Sequence, residues 1–169
     1  MINVENFTIE THNKGDVLIN VNSIHKEIFY LKKGVARIFY YNTKGQEITH
    51  WISEDNSFIT VLSSILSKKI SPMGIDVIEN NSEIIKVPFS IIYNSKEKKL
   101  NDTTDVEKLL MQTIVEMGER VVDIQTKTTF ERYNDFLITK PHLFQRINLG
   151  YIASYLGMTQ QNLSKIRAL

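Results

Sequence analysis

The sequence predicts an α+β chain with three parts: an N-terminal antiparallel β-roll of the jelly-roll type, one long helix, and a C-terminal helix-turn-helix. Short segments rich in β-branched and aromatic residues alternate with turn residues over residues 7–87. A narrow apolar stripe at spacings of four and three follows over residues 106–128. Two short amphipathic segments that meet at a glycine close the chain. We therefore expect three domains, at residues 1–100, 101–128 and 129–169.

The N-terminal region contains six predicted strands. They comprise residues 16–21, 27–31, 35–41, 47–52, 74–78 and 83–87. Turn chemistry separates them at Lys14-Gly15, Lys33-Gly34, Thr43-Lys44-Gly45 and Asn80-Asn81. The pattern changes over residues 58–67, which predicts a short helix that interrupts the roll. Regularly spaced short strands favour a closed barrel or jelly roll, because closure leaves few unpaired strand edges.

A long helix is predicted after the roll. Thr104 and Glu107 form a capping box at its start, in which each side chain bonds the free backbone N–H of the other residue. The stripe residues share one helix face at the period of a coiled coil: Val106, Leu110, Ile114, Met117, Val121, Ile124 and Thr128. Three heptads of this pattern favour pairing with a second copy of the chain. Packing of the stripe on the chain's own roll is the alternative.

A further helix is predicted over residues 129–137, and Lys140-Pro141 ends it. We expect this helix to turn Phe130, Tyr133 and either Phe136 or Leu137 inward.

The last segment, residues 147–169, predicts two helices joined by a tight turn. Asn148 and Thr159 are suited to cap the two helices, because their side chains accept bonds from free backbone N–H groups. Gly157 ends the first helix, since glycine adopts a left-handed backbone without a Cβ penalty. Two helices that cross at a glycine turn form a helix-turn-helix, whose second helix can enter a DNA major groove. An ordinary helical hairpin with a polar face is the alternative.

Charge favours the DNA-binding interpretation. Residues 136–169 contain no Asp or Glu and four basic residues, Lys140, Arg146, Lys165 and Arg167. The whole chain carries +1, which leaves −3 for residues 1–135. A positive end on a slightly acidic body is the asymmetry expected of a segment that meets phosphates. Arg146 lies beside the helix pair and is suited to contact a phosphate or only to cover the surface.

Several segments resemble one family of regulators. They are residues 131–133 (ERY), 140–144 (KPHLF), 151–159 (YIASYLGMT) and 163–167 (LSKIR). They resemble the C-terminal half of the cyclic AMP receptor protein and fumarate and nitrate reductase regulator (Crp/Fnr) superfamily. The N-terminal strands are similar to the cyclic-nucleotide-binding β-roll that this family places before its winged-helix-like DNA-binding domain. The chain ends without sequence for a wing strand, so we expect weaker backbone anchoring.

The resemblance implies function and site residues. It implies that the long helix forms the two-fold interface of a homodimer, which binds a near-palindromic operator in double-stranded DNA. Gln160, Gln161 and Lys165 would read base edges, while Thr159, Ser164 and Arg167 would hold phosphates. Activating relatives also contact RNA polymerase, through a patch that these residues do not reveal.

The effector pocket departs from the family pattern. Relatives that bind cyclic AMP carry a Gly-Glu pair and, several residues on, an Arg followed by a small residue. Here Thr60-Val61 and Ile70-Ser71 (or Ser71-Pro72) stand at those places. A buried phosphate would lack its charge-assisted bonds, at a cost of several kcal/mol. We expect a less polar or uncharged effector, or none, with these candidate pocket residues: Thr60, Val61, Ser63, Ser64, Ile70 and Ser71. For the three serines, exposed loop positions are the alternative.

The amino-acid composition excludes several classes of function. The chain has no cysteine, which excludes disulfides and cysteine-bound zinc or iron–sulfur clusters, and we expect no cofactor. A cupin-like metal enzyme would need closely spaced histidines, whereas the four present are scattered: His12, His25, His50 and His142. We therefore expect no enzyme and no metal site. A dimeric ligand-sensor module that does not bind DNA is the other alternative.

The sequence also predicts where in the cell the protein is located. The N-terminus lacks a basic region followed by an apolar core, and no apolar run approaches the roughly 18 residues that span a bilayer. We expect a cytoplasmic protein without a membrane partner.

Overall fold

The computed structural model describes residues 7–89 and 105–168, apart from the side chains of residues 105–107, 109 and 110. Over this part of the chain, the N-terminal region forms eight strands and one short helix. The strands are β1 (Ile9–His12), β2 (Val17–Ile19), β3 (Glu27–Lys33), β4 (Ala36–Tyr41), β5 (Glu47–Ser53), β6 (Ser57–Ile59), β7 (Gly74–Val77) and β8 (Ser82–Pro88). The short helix is α1 (Leu62–Ser67).

The strands build two antiparallel sheets of four, in the orders β1-β8-β3-β6 and β2-β7-β4-β5. Apolar side chains from both sheets fill the space between them, among them Leu31 and Ile84 from one sheet and Ile38 and Ile75 from the other. Gly34 is required at one corner, because its φ is +116° and a Cβ there would lie 2.1 Å from Ser82 Oγ. The predicted jelly roll is confirmed.

The region predicted as a helix over residues 58–67 is a strand followed by a helix. Phe58 and Ile59 belong to β6, where Ile59 pairs with Phe29 of β3. Both are residues of high β-propensity, and the open edge of β3 satisfies their backbone groups. The sequence prediction also missed β1, whose residues pair with β8 but are largely exposed and carry little apolar pattern.

Five helices complete the described chain. They are α2 (Asp105–Thr126), α3 (Thr129–Thr139), α4 (Leu143–Arg146), α5 (Leu149–Tyr155) and α6 (Gln160–Arg167). The capping box expected at Thr104 and Glu107 lies outside the described residues. A capping box is instead found at the start of α3, where Thr128 Oγ1 accepts from Glu131 N and the Glu131 carboxylate accepts from Thr128 N.

Helix α3 buries only some of the side chains expected, with Phe136 rather than Leu137 turned inward and Tyr133 packed against the same core. Phe136 is buried, whereas Phe130 and Leu137 are 47% and 41% exposed, so the expectation that Phe130 points inward is wrong. The reason is that α3 packs against α4 and α5 along the side that carries Phe136, whose ring meets Phe144 and Tyr155.

A second apolar core joins the helices to the roll. Val35, Ile52 and Ile78 from the roll pack in one cluster with side chains of the last four helices, including Phe136 and Leu163. In α5 and α6, which we call the reader, the residues of this core are almost fully buried. Among the described residues, no helix combines the length and the apolar character that a membrane crossing requires.

Candidate nucleic-acid interface

The caps and the turn fix the geometry of the reader. Asn148 Oδ1 accepts a hydrogen bond of 2.7 Å from Gly150 N, and Thr159 Oγ1 accepts one of 3.2 Å from Asn162 N. Gly157 has φ +70° in the turn between the helices. The predicted capping by Asn148 and Thr159 and the predicted turn at Gly157 are confirmed. Because Ala153 and Leu163 are buried where the two helices meet, α6 is held in place by packing as well as by its cap.

The outer face of α6 is free for contact. These predicted DNA-binding residues are all exposed: Thr159, Gln160, Gln161, Ser164, Lys165 and Arg167. Asn162, which the sequence prediction did not single out, is exposed on the same helix. Lys165 and Arg167 occupy the last turn, and in the described part of the chain neither forms an ion pair. The face therefore offers amides, hydroxyls and two cations.

Arg146, which was predicted to contact DNA, is bound to carboxylates of the roll. Its guanidinium donates to Glu79 at 2.8 and 2.6 Å and to Asp55 at 2.8 and 3.0 Å. Hydrogen bonds to Glu79 and Asp55 raise the pKa of Arg146. The structure thus gives Arg146 a role in holding α4 against two turns of the roll. Contact with DNA stays a prediction for this residue and would require these bonds to open.

Two more basic groups near the reader also face the roll. Lys140 Nζ lies 2.7 Å from Glu54 Oε1, and His142 Nε2 bonds the other oxygen of the same carboxylate. The positive end seen in the sequence is therefore partly an internal docking surface. Lys165 and Arg167 are the basic residues of that end that remain available to an outside anion, within the part of the chain that the structure describes.

We expect Glu54→Gln to weaken this docking in a pH-dependent way. Burial alone would raise the pKa of Glu54, but hydrogen bonds from Lys140 and His142 hold it below 4.5. The stabilisation is therefore complete above pH 4.5 and is lost as the pH falls through the lower folded-state pKa. At neutral pH, urea unfolding should show a loss of about 1 kcal/mol.

The difference between the native chain and Glu54→Gln should shrink as the pH is stepped below 4.5. Glu119→Gln, an exposed change on α2, is the matched control and should be neutral. A Glu54→Gln effect that stays constant with pH would contradict the assignment.

Arg37 forms a buried link between the roll and the reader. Its guanidinium donates to Asp76 at 2.8 and 2.9 Å, to Thr49 at 3.0 Å, and to Glu47. Its Cζ lies 4.2 Å from the centroid of the Tyr151 ring on α5. Although burial alone would lower it, hydrogen bonds to Asp76 and Glu47 raise the pKa of Arg37. The sequence signal for this link is one arginine inside the apolar strand β4.

Two further arginines hold the C-terminal end of α5. Arg132 of α3 donates from Nε to the Leu156 carbonyl at 2.9 Å and from Nη1 to the Lys127 carbonyl. Arg120 of α2 donates from Nη2 to the Tyr155 carbonyl. These carbonyls lack partners within their own helices. Arg132 belongs to the ERY segment, to which the sequence alone assigned no contact.

A cavity of about 220 Å³ lies between the roll and α2. Its wall is mostly apolar and includes Trp51, Ile114 and Met117. Among the lining residues that the structure describes there is no Arg, Lys, Asp or Glu, and His50 is the one titratable side chain. Burial, and then the charge of Arg120, lower the pKa of His50, so its ring is neutral near pH 7. The cavity therefore suits uncharged molecules.

Comparison with known proteins gives the fold. Neither a protein-family model nor a curated protein sequence matches the chain. Solved structures do match it. FixK2 from Bradyrhizobium japonicum has a TM-score of 0.77 at 15% identity, over 96% of this chain and 83% of that one. A protein from Eubacterium rectale assigned to the crp/fnr family of transcriptional regulators has a TM-score of 0.70 at 18% identity, over 96% and 77%. A CRP-family transcriptional regulator from Thermus thermophilus has a TM-score of 0.67 at 13% identity, over 94% of this chain and 82% of that one.

The chain has the fold of Crp/Fnr regulators. The expected α+β class is thereby confirmed, with the β-roll, the long helix and the helix-turn-helix in the predicted order.

Within this Crp/Fnr fold, the structure divides the predicted effector residues into two groups. Thr60, Val61 and Ser63 line the cavity. The other three do not. Ser64 is buried and donates to the Lys69 carbonyl at 2.9 Å, and Ser71 is buried in a bridge to Ser23.

Ile70, the last of these, is 65% exposed on a bend after α1. The distinction arises because the chain turns away from the cavity after Ser63, which spacing in the sequence does not show.

The residues of the predicted stripe on the long helix of this Crp/Fnr fold lie in two environments, one against the roll and one exposed. Met117 packs against the core of the roll, as the alternative interpretation expected. Ile114, Val121 and Ile124 are 40–53% exposed, whereas the side chains of Val106 and Leu110 lie outside the described residues.

An exposed apolar face runs beside the predicted stripe. Met111, Val115 and Val122 are 55–64% exposed and flank Gly118, where nothing lies within 4 Å of a built Cβ. A glycine in an apolar face permits close approach of another helix. We call residues 111, 115, 118 and 122 the α2 face. Pairing of the predicted stripe with a second copy stays a prediction, and the α2 face was not part of that prediction.

Proposed function

We propose that this chain is a cytoplasmic transcription regulator that binds double-stranded DNA through α6 as a homodimer. The observation that carries the proposal is the outer face of α6, which is polar, exposed and without ion pairs among the described residues. Packing and two capped helices hold that face rigidly, and rigid elements are required for base recognition. The Crp/Fnr fold gives the same assignment by analogy.

The residues of α6 divide into two roles. Gln160, Gln161 and Lys165 read base edges in the major groove, where glutamine suits adenine and lysine suits guanine. Thr159, Ser164 and Arg167 bind phosphates and set the register of the helix on the duplex. Lysine lacks the planar fork of arginine, so guanine recognition by Lys165 is less rigid.

Dimerisation uses the α2 face. Large apolar side chains that remain more than half exposed on a long helix favour association. A two-fold dimer presents two copies of α6 about one turn of DNA apart, roughly 34 Å. The operator is then a near-palindrome.

We expect Val115→Asp to separate the dimer. Each two-fold interface would contain the new carboxylate twice, so the dimer Kd should rise at least about 100-fold. Sedimentation velocity over a concentration series measures this change. Leu66→Asp is the matched control, because Leu66 is 62% exposed on α1, close to the 59% of Val115. A dimer that survives Val115→Asp unchanged would place the interface elsewhere.

We also propose that the cavity accepts a small, uncharged and mainly apolar effector in place of cyclic AMP. The support is its apolar wall and the lack of a cationic side chain among the lining residues within the described part of the chain. A phosphate there would lose its hydration without gaining a charge-assisted bond.

Selection from a pool of random duplex DNA tests the proposed function. The native protein is incubated with the pool at low salt, and bound duplexes are amplified and sequenced. We expect an enriched near-palindrome with half-sites about 10 base pairs apart, centre to centre. If no motif is enriched with or without cell extract as a source of effector, the dimeric ligand-sensor module replaces the regulator as the better account.

A further inference from the structure

His50 of β5 lines the cavity with both of its ring nitrogens unbonded. Among the residues that the structure describes, no hydrogen bond reaches Nδ1 or Nε2, and the ring meets only the ring of Tyr40, at a centroid distance of 6.2 Å. The buried polar side-chain atoms that lack a partner in the same part of the chain are His25 Nε2 and Arg120 Nε, and neither nitrogen of His50 is one of them. Both nitrogens of His50 can therefore be reached by a small molecule.

The surroundings of His50 keep its ring neutral. Burial, and then the positive charge of Arg120, lower the pKa of His50. The described lining residues include no carboxylate that would stabilise an imidazolium. A neutral imidazole has one N–H donor and one acceptor nitrogen. His50 is therefore suited to a ligand group that both donates and accepts a hydrogen bond, such as a hydroxyl.

The other polar side chains of the lining are engaged or face solvent. Thr60 Oγ1 donates its one proton to the Glu27 carbonyl at 3.0 Å. Thr113 has an interaction of its own, and Ser63 is exposed. Within the described part of the chain, polar recognition inside the cavity therefore falls to His50. Ligand cavities are usually built in this way, with an apolar wall and a small number of polar groups that fix the orientation of the ligand.

The apolar wall is suited to an aromatic ring. Trp51 and Phe58 contribute two buried aromatic side chains, and Met73 and Met117 contribute thioethers. Ring pairs and contacts between sulfur and an aromatic ring stabilise a complex beyond the burial of apolar area. The cavity volume of about 220 Å³ exceeds the roughly 150 Å³ of an apolar cavity that binds benzene. One aromatic ring with a short substituent therefore fits.

We propose that the cavity binds a small, uncharged aromatic alcohol, whose ring lies between Trp51 and Phe58 and whose hydroxyl bonds the imidazole of His50. The inference rests on the proposed function, because it names the chemical class of the effector that the cavity would bind. The apolar wall supplies most of the affinity, and His50 determines specificity. An analogue without the hydroxyl displaces water from the ring nitrogens of His50 and leaves them unpaired, which a site built for a hydroxyl disfavours.

Benzyl alcohol and ethylbenzene are matched probes, because they have the same shape and differ only by a hydroxyl in place of a methyl group. Titration calorimetry with the full chain gives the Kd of each probe, and the fluorescence of Trp51, the one tryptophan in the chain, reports binding in the cavity. The measured quantity is the Kd of ethylbenzene divided by the Kd of benzyl alcohol. Comparison of this ratio between variants cancels the different hydrophobicity of the two molecules.

The native chain is compared with two variants of His50. His50→Leu removes both hydrogen-bonding nitrogens, whereas His50→Gln keeps one donor and one acceptor in its amide. His12→Leu is the matched control, because it removes a histidine from another strand of the roll, β1, and His12 is not part of the cavity lining.

In His50→Leu, the ratio should fall at least about five-fold, because benzyl alcohol loses its hydrogen bond and ethylbenzene loses none. In His12→Leu, the ratio should stay within about two-fold of the native value, as expected for an independent site. His50→Gln should keep part of the native ratio. Binding of ethylbenzene to His50→Leu with a change in Trp51 fluorescence shows that this variant keeps the cavity.

The inference is overturned if His50→Leu keeps the native ratio or if benzyl alcohol does not bind the native chain. If His50→Leu does not fold, nitrogen NMR of the native chain decides. The ring nitrogens of His50 must then respond to benzyl alcohol and not to ethylbenzene, and equal responses overturn the inference. Neither measurement uses DNA. A chain that passes but selects no DNA motif would refute DNA binding and leave the ligand class intact, whereas a chain that selects a motif but fails would refute only the inference.

Discussion

Replacing Gln161 and Lys165 together by alanine should lower the affinity of the chain for its selected operator at least about 100-fold, since each good bidentate base contact contributes about 1–3 kcal/mol. Both side chains are exposed on α6, and alanine has the highest helix propensity, so the fold of the reader should persist. Affinity for random duplex should fall only slightly, because phosphate contacts from Thr159, Ser164 and Arg167 would remain. Fluorescence anisotropy at one fixed salt concentration measures both affinities.

The matched control for this double variant is the pair Lys44→Ala and Gln46→Ala. These residues are a lysine and a glutamine on an exposed turn of the roll. The control removes the same charge from the chain without touching α6. If the double variant in α6 kept the native preference for operator over random duplex, base recognition would have to reside in another element.

Arg37→Met should cost about 3–5 kcal/mol of the free energy of unfolding, because it breaks a buried ion pair from one side. The side chain of Asp76 is only 12% exposed, burial already raises its pKa, and without Arg37 its carboxyl would lose the cation that pairs with it. The Tyr151 ring would also lose its contact with the guanidinium, so α5 should loosen from the roll. Urea unfolding at neutral pH measures the loss.

Two variants complete the test of Arg37. Lys32→Met breaks an ion pair with Glu83 whose side chains are 50% and 35% exposed, and it should leave the free energy of unfolding almost unchanged. Arg37→Met combined with Asp76→Asn should recover part of the lost stability, because the buried charge is gone. If Arg37→Met cost no more than Lys32→Met, the buried link would have no special role.

The strands and the reader could be predicted because their signals are local. Asn148, Gly157 and Thr159 act within three residues of their own positions, and turn glycines such as Gly34 mark where a strand must end. Strand β6 could not be separated from α1 because Phe58 and Ile59 take their partners from β3, about thirty residues earlier in the chain. Short apolar runs do not specify their partner strand.

The docking of the reader could not be predicted because its contacts join distant residues. Arg146 and Asp55 are 91 residues apart, and Lys140 and Glu54 are 86 apart. In the sequence, Arg146 and Lys140 indicated only that the C-terminal segment is positively charged. Similarly, the period of the α2 stripe gave a face but not its partner, so it did not separate Met117, which packs on the roll, from Val121, which is exposed.

The most direct test of base recognition by α6 is a specificity profile of the operator for the native chain and for Gln161→Ala alone. Every position of the selected operator is replaced in turn by each other base pair, and relative affinities are measured by competition. The proposal predicts that Gln161→Ala becomes indifferent to the base at one symmetric pair of positions and keeps its preferences elsewhere. A uniform loss of affinity across all sequences, with the profile unchanged, would show that Gln161 does not read a base and would contradict the proposed orientation of α6.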